Sequence, residues 1–303
     1  MPPELTPLLT YLKISFAQFA PFEAKYFARL KELLVFHQII PVTQTVDRSN
    51  FSGFVKTFQG TVMHDPHPDG MPGENTLWAL QKDWAGSRGL KLIKSGIPND
   101  AFGGSHDAFI LRSDVVPHYM DWFNEIHASG GVITSAGSLR DLTAPVSAGR
   151  STTSMHYTGI ALDLNTVSGM HKPASDAYVI ERNGTTHWQV WNKVAPPNGT
   201  LHILNAIIYN DHTKNISTNA INTPVIDFTG IAAKHGFYPI GNRGCFPGDY
   251  MCAEWWHFQC EDVLVPYISQ FGAELLTVYS VAQLSAHGGV WSSKMKIFKK
   301  DWF

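Results

Sequence analysis

Two short stretches of this chain set histidines beside carboxylates. One is Ser154-Met155-His156-Tyr157-Thr158-Gly159-Ile160-Ala161-Leu162-Asp163, the other Glu254-Trp255-Trp256-His257-Phe258. Two imidazoles and one carboxylate make a three-ligand zinc site with one open position, the arrangement of catalytic rather than structural zinc. The open position takes water, whose pKa the metal lowers towards neutrality. A glutamate just ahead of a ligand histidine can accept that water's proton. No His-Glu-x-x-His pattern occurs, so the helical zinc-peptidase architecture is excluded.

The remaining twelve of the fourteen histidines are read as surface or satisfied core residues. His64-Asp65-Pro66-His67-Pro68-Asp69-Gly70 begins like a calcium loop but lacks its closing glutamate, so a turn is expected. Cys245, Cys252 and Cys260 contain no Cys-x-x-Cys pair, which rules out a zinc framework. One disulfide with one buried thiol, or a fully reduced set, remains open.

The elements that must position these groups follow from periodicity. The 303 residues suffice for about two domains, and a 44% hydrophobic share supports a sizeable core. Net charge −2 leaves no basic footprint for nucleic acid, and no apolar run reaches the ~18 residues of a membrane span. Phe22, Tyr26, Phe27, Leu30, Leu33 and Leu34 recur at helical spacing. Two polar turns, Val46 to Asn50 and Asp69 to Thr76, each lead into a short amphipathic helix. Gly96, Pro98, Gly103 and Gly104 mark a linker near 96–107.

Beyond it, Ser113-Asp114 is expected to cap a helix carrying Tyr119, Trp122 and Ile126 that Gly130-Gly131 ends. Val132-Ile133-Thr134 reads as a strand. Gly159 to Asn165 alternates, with Ile160, Leu162 and Leu164 on one face. Asn183-Gly184 predicts a hairpin with a type I′ turn. A strand follows over Leu201–Tyr209, then a helix from Thr223-Pro224 to Gly236. Without regular βαβ alternation the class is α+β: a helical N-terminal domain, then a mainly antiparallel sheet with flanking helices. In an extended strand Glu254 and His257 face opposite ways, so Glu254 is expected in a turn or bulge ahead of the strand.

Ser-x-His-x-x-Gly-x-Ala-x-Asp followed by Glu-x-Trp-His resembles the zinc D-alanyl-D-alanine carboxypeptidases and dipeptidases. That family includes phage L-alanyl-D-glutamate endopeptidases and shares its fold with the hedgehog signalling domain. The resemblance covers residues ~101–272 and every fixed position of both motifs. It implies one zinc per chain on His156, Asp163 and His257, Glu254 as catalytic base, and Ser154 in contact with substrate. It also implies an arginine that stabilises the oxyanion, within Val132-Ile133-Thr134-Ser135-Ala136-Gly137-Ser138-Leu139-Arg140. Arg140 is preferred and Arg150 competes. Asp69-Gly70, Gly73, Thr76 and Gln81 resemble the three-helix peptidoglycan-binding module of wall hydrolases.

The expected organisation is a wall-binding domain over 1–95, a peptidase domain over 101–272 with an insertion near 170–222, and a tail over 273–303. That tail is expected to cap the peptidase domain, with a solvated basic face. The expected activity is hydrolysis of peptidoglycan stem peptides in the wall or periplasm by a monomer. D-alanine removal leads, endopeptidase cleavage is the alternative, and a non-catalytic zinc-containing wall binder is the second. No signal peptide is apparent, which fits release by lysis, phage or a secretion machine, or a processed precursor.

Overall fold

The computed structural model describes residues 2–95, 108–144 and 151–299. The expected linker over 96–107 and the competing Arg150 lie outside them. Helices and antiparallel sheets share the chain, which is the α+β class. It divides into two compact units. One takes residues up to Gly89 and the chain from Leu264 onward; the other is Leu90–Val263.

The first unit opens with α1 (Thr6–Leu12), α2 (Phe16–Phe19), α3 (Glu23–Phe36), α4 (Phe51–Thr61) and α5 (Glu74–Ser87). Ser15 and Gln18 form a reciprocal capping box at the start of α2. The stripe read from the sequence is the buried face of α3, with Tyr26, Leu30, Leu33 and Leu34 fully enclosed. The Asp69-Gly70 turn is held by the buried Gln59, which donates to Asp69 Oδ1 (2.8 Å) and accepts from Gly70 N (2.7 Å). Gly70 has φ +78°, and a Cβ there would lie 2.6 Å from the Ser52 carbonyl oxygen, so only glycine fits.

The second unit continues with β1 (Leu92–Lys94), β2 (Ile110–Arg112), α6 (Val116–Ala128), β3 (Ala161–Asp163), β4 (Tyr178–Asn183) and β5 (His187–Lys193). The long hairpin β6 (Thr200–Asn210) and β7 (Asn215–Asp227) follows, then α7 (Phe228–Lys234), β8 (Phe237–Pro239) and β9 (His257–Cys260). Three sheets result, β1-β2, β3-β9-β8 and β4-β5-β7-β6, and the strand pairings within them are antiparallel. Residues 178–227, which overlap most of the segment expected near 170–222, form the four-stranded sheet.

Four local expectations change. Val132-Ile133-Thr134 joins no strand, because side chains satisfy its backbone: Asn192 Oδ1 accepts from Val132 N, and Tyr178 Oη accepts from Thr134 N. Thr223-Pro224 lies within β7, and the helix starts only at Phe228, where Asp227 accepts from Gly230 N. Pro224 stands beside the end of the β5 ladder, which stops at Val225. The Asn183-Gly184 hairpin forms, but Asn183 pairs with His187, leaving three loop residues rather than two. Asp114 caps no helix; it binds Arg112, with Nε–Oδ1 at 2.7 Å.

The chain then returns to the first unit with α8 (Phe271–Leu276), α9 (Val281–Ser285) and α10 (Gly288–Trp291). This corrects the expected boundaries at 272 and 273. The last segment packs with the N-terminal helices, within the first unit. Gln81, fully buried on α5, donates to the Ile268 carbonyl at 2.9 Å, and Gln270 donates to the Glu74 carbonyl at 3.0 Å. Buried amides require such partners, and the tail supplies them. Trp78 and Trp291 meet edge to face, with centroids 5.6 Å apart. No helix among the described residues is long and apolar enough to cross a membrane.

A chain ending at Val263 is therefore expected to lose amide hydrogen-exchange protection across α3 and α5. Unchanged protection there would show that the N-terminal helices are stable without the returning segment.

Candidate metal centre

The site begins with pairing across the β3-β9-β8 sheet. Asp163 of β3 stands directly opposite His257 of β9, in register with Leu162–Phe258 and Ala161–Gln259. Opposed residues in an antiparallel pair project to the same face, so the ladder itself puts a carboxylate beside an imidazole. The other face carries Leu162 and Phe258, both fully buried. Trp122 of α6 lies 4.9–5.4 Å, centroid to centroid, from Phe228, Phe237 and Phe258. Truncating such a residue costs about 3–5 kcal/mol, so the register is anchored from behind.

His156 reaches the same point from a 3-10 turn, Met155–Thr158, whose first amides Ser154 caps by accepting from His156 N. Gly159 then reverses the chain with φ +71°. A Cβ at 159 would sit 2.9 Å from Arg112 N, which itself donates to the Gly159 carbonyl at 2.8 Å. The backbone passes too close to β2 for any side chain.

The three donors converge tightly. His156 Nε2 lies 3.2 Å from Asp163 Oδ2 and 3.1 Å from His257 Nδ1, and His257 Nδ1 lies 3.2 Å from Asp163 Oδ1. Ligands ~2.0–2.2 Å from a tetrahedral zinc are spaced about 3.4 Å apart, close to these separations. The other nitrogen of His156, Nδ1, donates to the Ser138 carbonyl, which leaves Nε2 as a lone-pair donor. Asp163 Oδ1 is sealed from solvent and faces His257 Nδ1 at 3.2 Å. Lone pairs so crowded require a cation or protons between them, so the group fits a metal ion, although the ion's identity is not established.

Without metal, protons do this work. Burial pushes His156 down, but the Asp163 carboxylate more than offsets it, and the histidine is held above its ordinary pKa. Attraction at 3.2 Å is on the order of 5 kcal/mol at an effective dielectric near 20. Asp163 is also desolvated, yet His156 and His257 hold it well below the carboxylate range.

Glu254 occupies the expected turn. It has φ +54°, and its carbonyl accepts from His257 N at 3.1 Å, so Trp255 and Trp256 form the bend and the strand begins at His257. A left-handed non-glycine residue costs roughly 1–2 kcal/mol, here spent at a site residue. Trp188 Nε1 fastens the neighbouring Ala253 carbonyl, and the Cys245–Cys252 disulfide closes the preceding loop. Cys260 stays a thiol, and burial pushes it up to about 12.

Arg140 arrives by a different device. Ala136 N donates to the Asp163 carbonyl and Asp163 N to the Gly137 carbonyl, a single bridge along the free edge of β3. Arg140 N then donates to the His156 carbonyl, while its guanidinium lies 5.5 Å from the Tyr157 ring centre. Arg140, Ser154, His156, Asp163, Glu254 and His257 line one cavity, so every described residue expected at the site meets there.

Arg243 lines it too, ion-paired through Nη2 to Glu254 Oε1. Sequence reasoning missed this residue, because an arginine in a Gly-Asn-Arg-Gly loop carries no spacing signal. No family model matches the chain, and no curated protein or solved structure matches it either.

Zinc is expected to bind with one ion per chain and raise the melting temperature, and Asp163→Ala is expected to lose both effects. In chelator, the raised His156 pKa contributes stability fully below its unfolded value near ~6.5. That contribution is lost as pH rises through the higher folded value. The metal-free melting temperature should therefore fall through this window, and zinc should remove the decline; a flat profile in chelator would contradict the assignment.

Proposed function

We propose that this chain is a zinc metallopeptidase that hydrolyses peptidoglycan stem peptides, with removal of a terminal D-alanine as its activity. The observation that carries this reading is the convergence of His156, Asp163 and His257 in one cavity with Glu254 and Arg140. His156, Asp163 and His257 would hold the zinc, which would supply a Lewis acid able to activate water and polarise the scissile carbonyl. Glu254 accepts the proton of the attacking water and passes it to the leaving amine. Arg140 forms no ion pair among the described residues, so its guanidinium is available to the oxyanion that develops. Ser154 positions His156 through its cap and presents its hydroxyl to the same space.

The wall as substrate is supported by the paired motifs and by the Asp69-Gly70 turn, which is similar to those of peptidoglycan-binding modules. A structural zinc site needs neither a strained glutamate nor an arginine beside its ligands, and this disfavours the non-catalytic reading.

Incubation of muropeptides with the zinc-loaded chain, with and without chelator, followed by mass spectrometry, identifies the bond cut. Glu254→Gln is expected to keep zinc and fold while losing ~10²–10⁴-fold in kcat. Arg140→Ala should keep zinc and fall in kcat/KM. Full turnover by zinc-loaded Glu254→Gln would remove it as the base.

A further inference from the structure

Among the described residues, two compartments border the ligands. One, about 310 Å³, runs along Ala136–Asp141 and Ala144 to His156 and Asp163. The other, about 50 Å³, lies on the Glu254 side and is walled by Ile240, Met251 and Arg243. Arg140, His156 and Asp163 border both, so a bond held at the ligands has a roomy side and a confined one.

Resting on the peptidase reading, we infer that Arg243 anchors the free carboxylate of the residue to be released. The confined compartment offers a guanidinium beside Ile240 and Met251, with Ser151 and Ser154 also on its wall, which suits a small residue bearing a terminal carboxylate. A continuing peptide chain has no comparable room there. Arg243 is the cation of that compartment that already grips a carboxylate, that of Glu254. A guanidinium presents five N–H donors, so a second carboxylate can share or replace the first. Substrate then occupies Arg243 as Glu254 turns to the attacking water. The Arg243 side chain is 28% exposed, within reach of an entering ligand. Its backbone is held apart from that ion pair, because Arg243 N donates to the Cys252 carbonyl at 2.8 Å, beside the disulfide that closes the 245–252 loop.

The test uses the full zinc-loaded chain and an acylated peptide ending in D-alanyl-D-alanine, as the free acid and as its C-terminal amide. The acid is expected to be favoured ~10–100-fold in kcat/KM, the range of one charge-assisted contact. Arg243→Met should erase that preference by raising KM for the acid well beyond any change in the amide, so that the acid-to-amide ratio falls to about one, and Arg243→Lys should restore part of it. Equal turnover of both peptides by the unaltered chain overturns the anchor. An equal loss on both in Arg243→Met also overturns it, and leaves Arg243 as a support for Glu254 alone. If neither peptide is hydrolysed, the peptidase reading fails, and calorimetric titration decides the anchor separately. Tighter binding of the acid that Arg243→Met abolishes sustains it; indistinguishable binding of acid and amide refutes it.

Discussion

The cross-strand pair Asp163–His257 is the constraint on which the site depends. Strand side chains alternate with period two, so a slip of one residue would send the carboxylate into the core and bring Leu162 or Leu164 to the cavity. What prevents the slip lies on the opposite face, where Leu162 is fully buried and Phe258 packs against Trp122. Burying a polar group in that aromatic layer costs more than any local rearrangement recovers. The chemistry on one face is therefore positioned by hydrophobic packing on the other. Gly159 makes the same link for His156, since the reversal that presents the imidazole also lets β2 approach the backbone.

Around that pair the fold accepts several unfavourable arrangements together. Three lone-pair donors crowd within 3.2 Å, Glu254 adopts a left-handed backbone, and Arg243 and Glu254 form an ion pair in a confined cavity. Each costs stability alone, and each is held by structure outside the site: the Ser138 carbonyl on His156, the Trp188 indole on Ala253, and the disulfide around the 245–252 loop. Strain concentrated where a ligand is expected, and supported from several directions, accords with a preorganised site.

The two units solve their polar problems by different means. In the helical unit, buried amides of Gln59, Gln81 and Gln270 satisfy backbone groups of a turn, of α5 and of the returning segment. In the other unit, the side chains of Tyr178 and Asn192 stand in for a missing strand partner along Val132–Thr134.

Much of the site was legible because its signals are local. The spacing of His156 and Asp163 across Gly159 describes a turn entering a strand, and the facing conflict between Glu254 and His257 already demanded a bend. The α3 stripe and the hairpin at Asn183-Gly184 were likewise written in short-range periodicity and turn chemistry. The rest depended on residues far apart in the chain. Pro224 reads as a helix start until β6 is paired beside it, and Val132–Thr134 reads as a strand until Tyr178 and Asn192 take its hydrogen bonds. The returning C-terminal segment is invisible to periodicity, because Gln81 and Ile268 are 187 residues apart. Arg243 meets Glu254 across the disulfide-closed 245–252 loop that separates them in the chain. Sequence determined the donor set, since ligand chemistry resides in residue type and local spacing. Tertiary structure alone decided which charges share the cavity, because an ion pair between loops has no period to betray it.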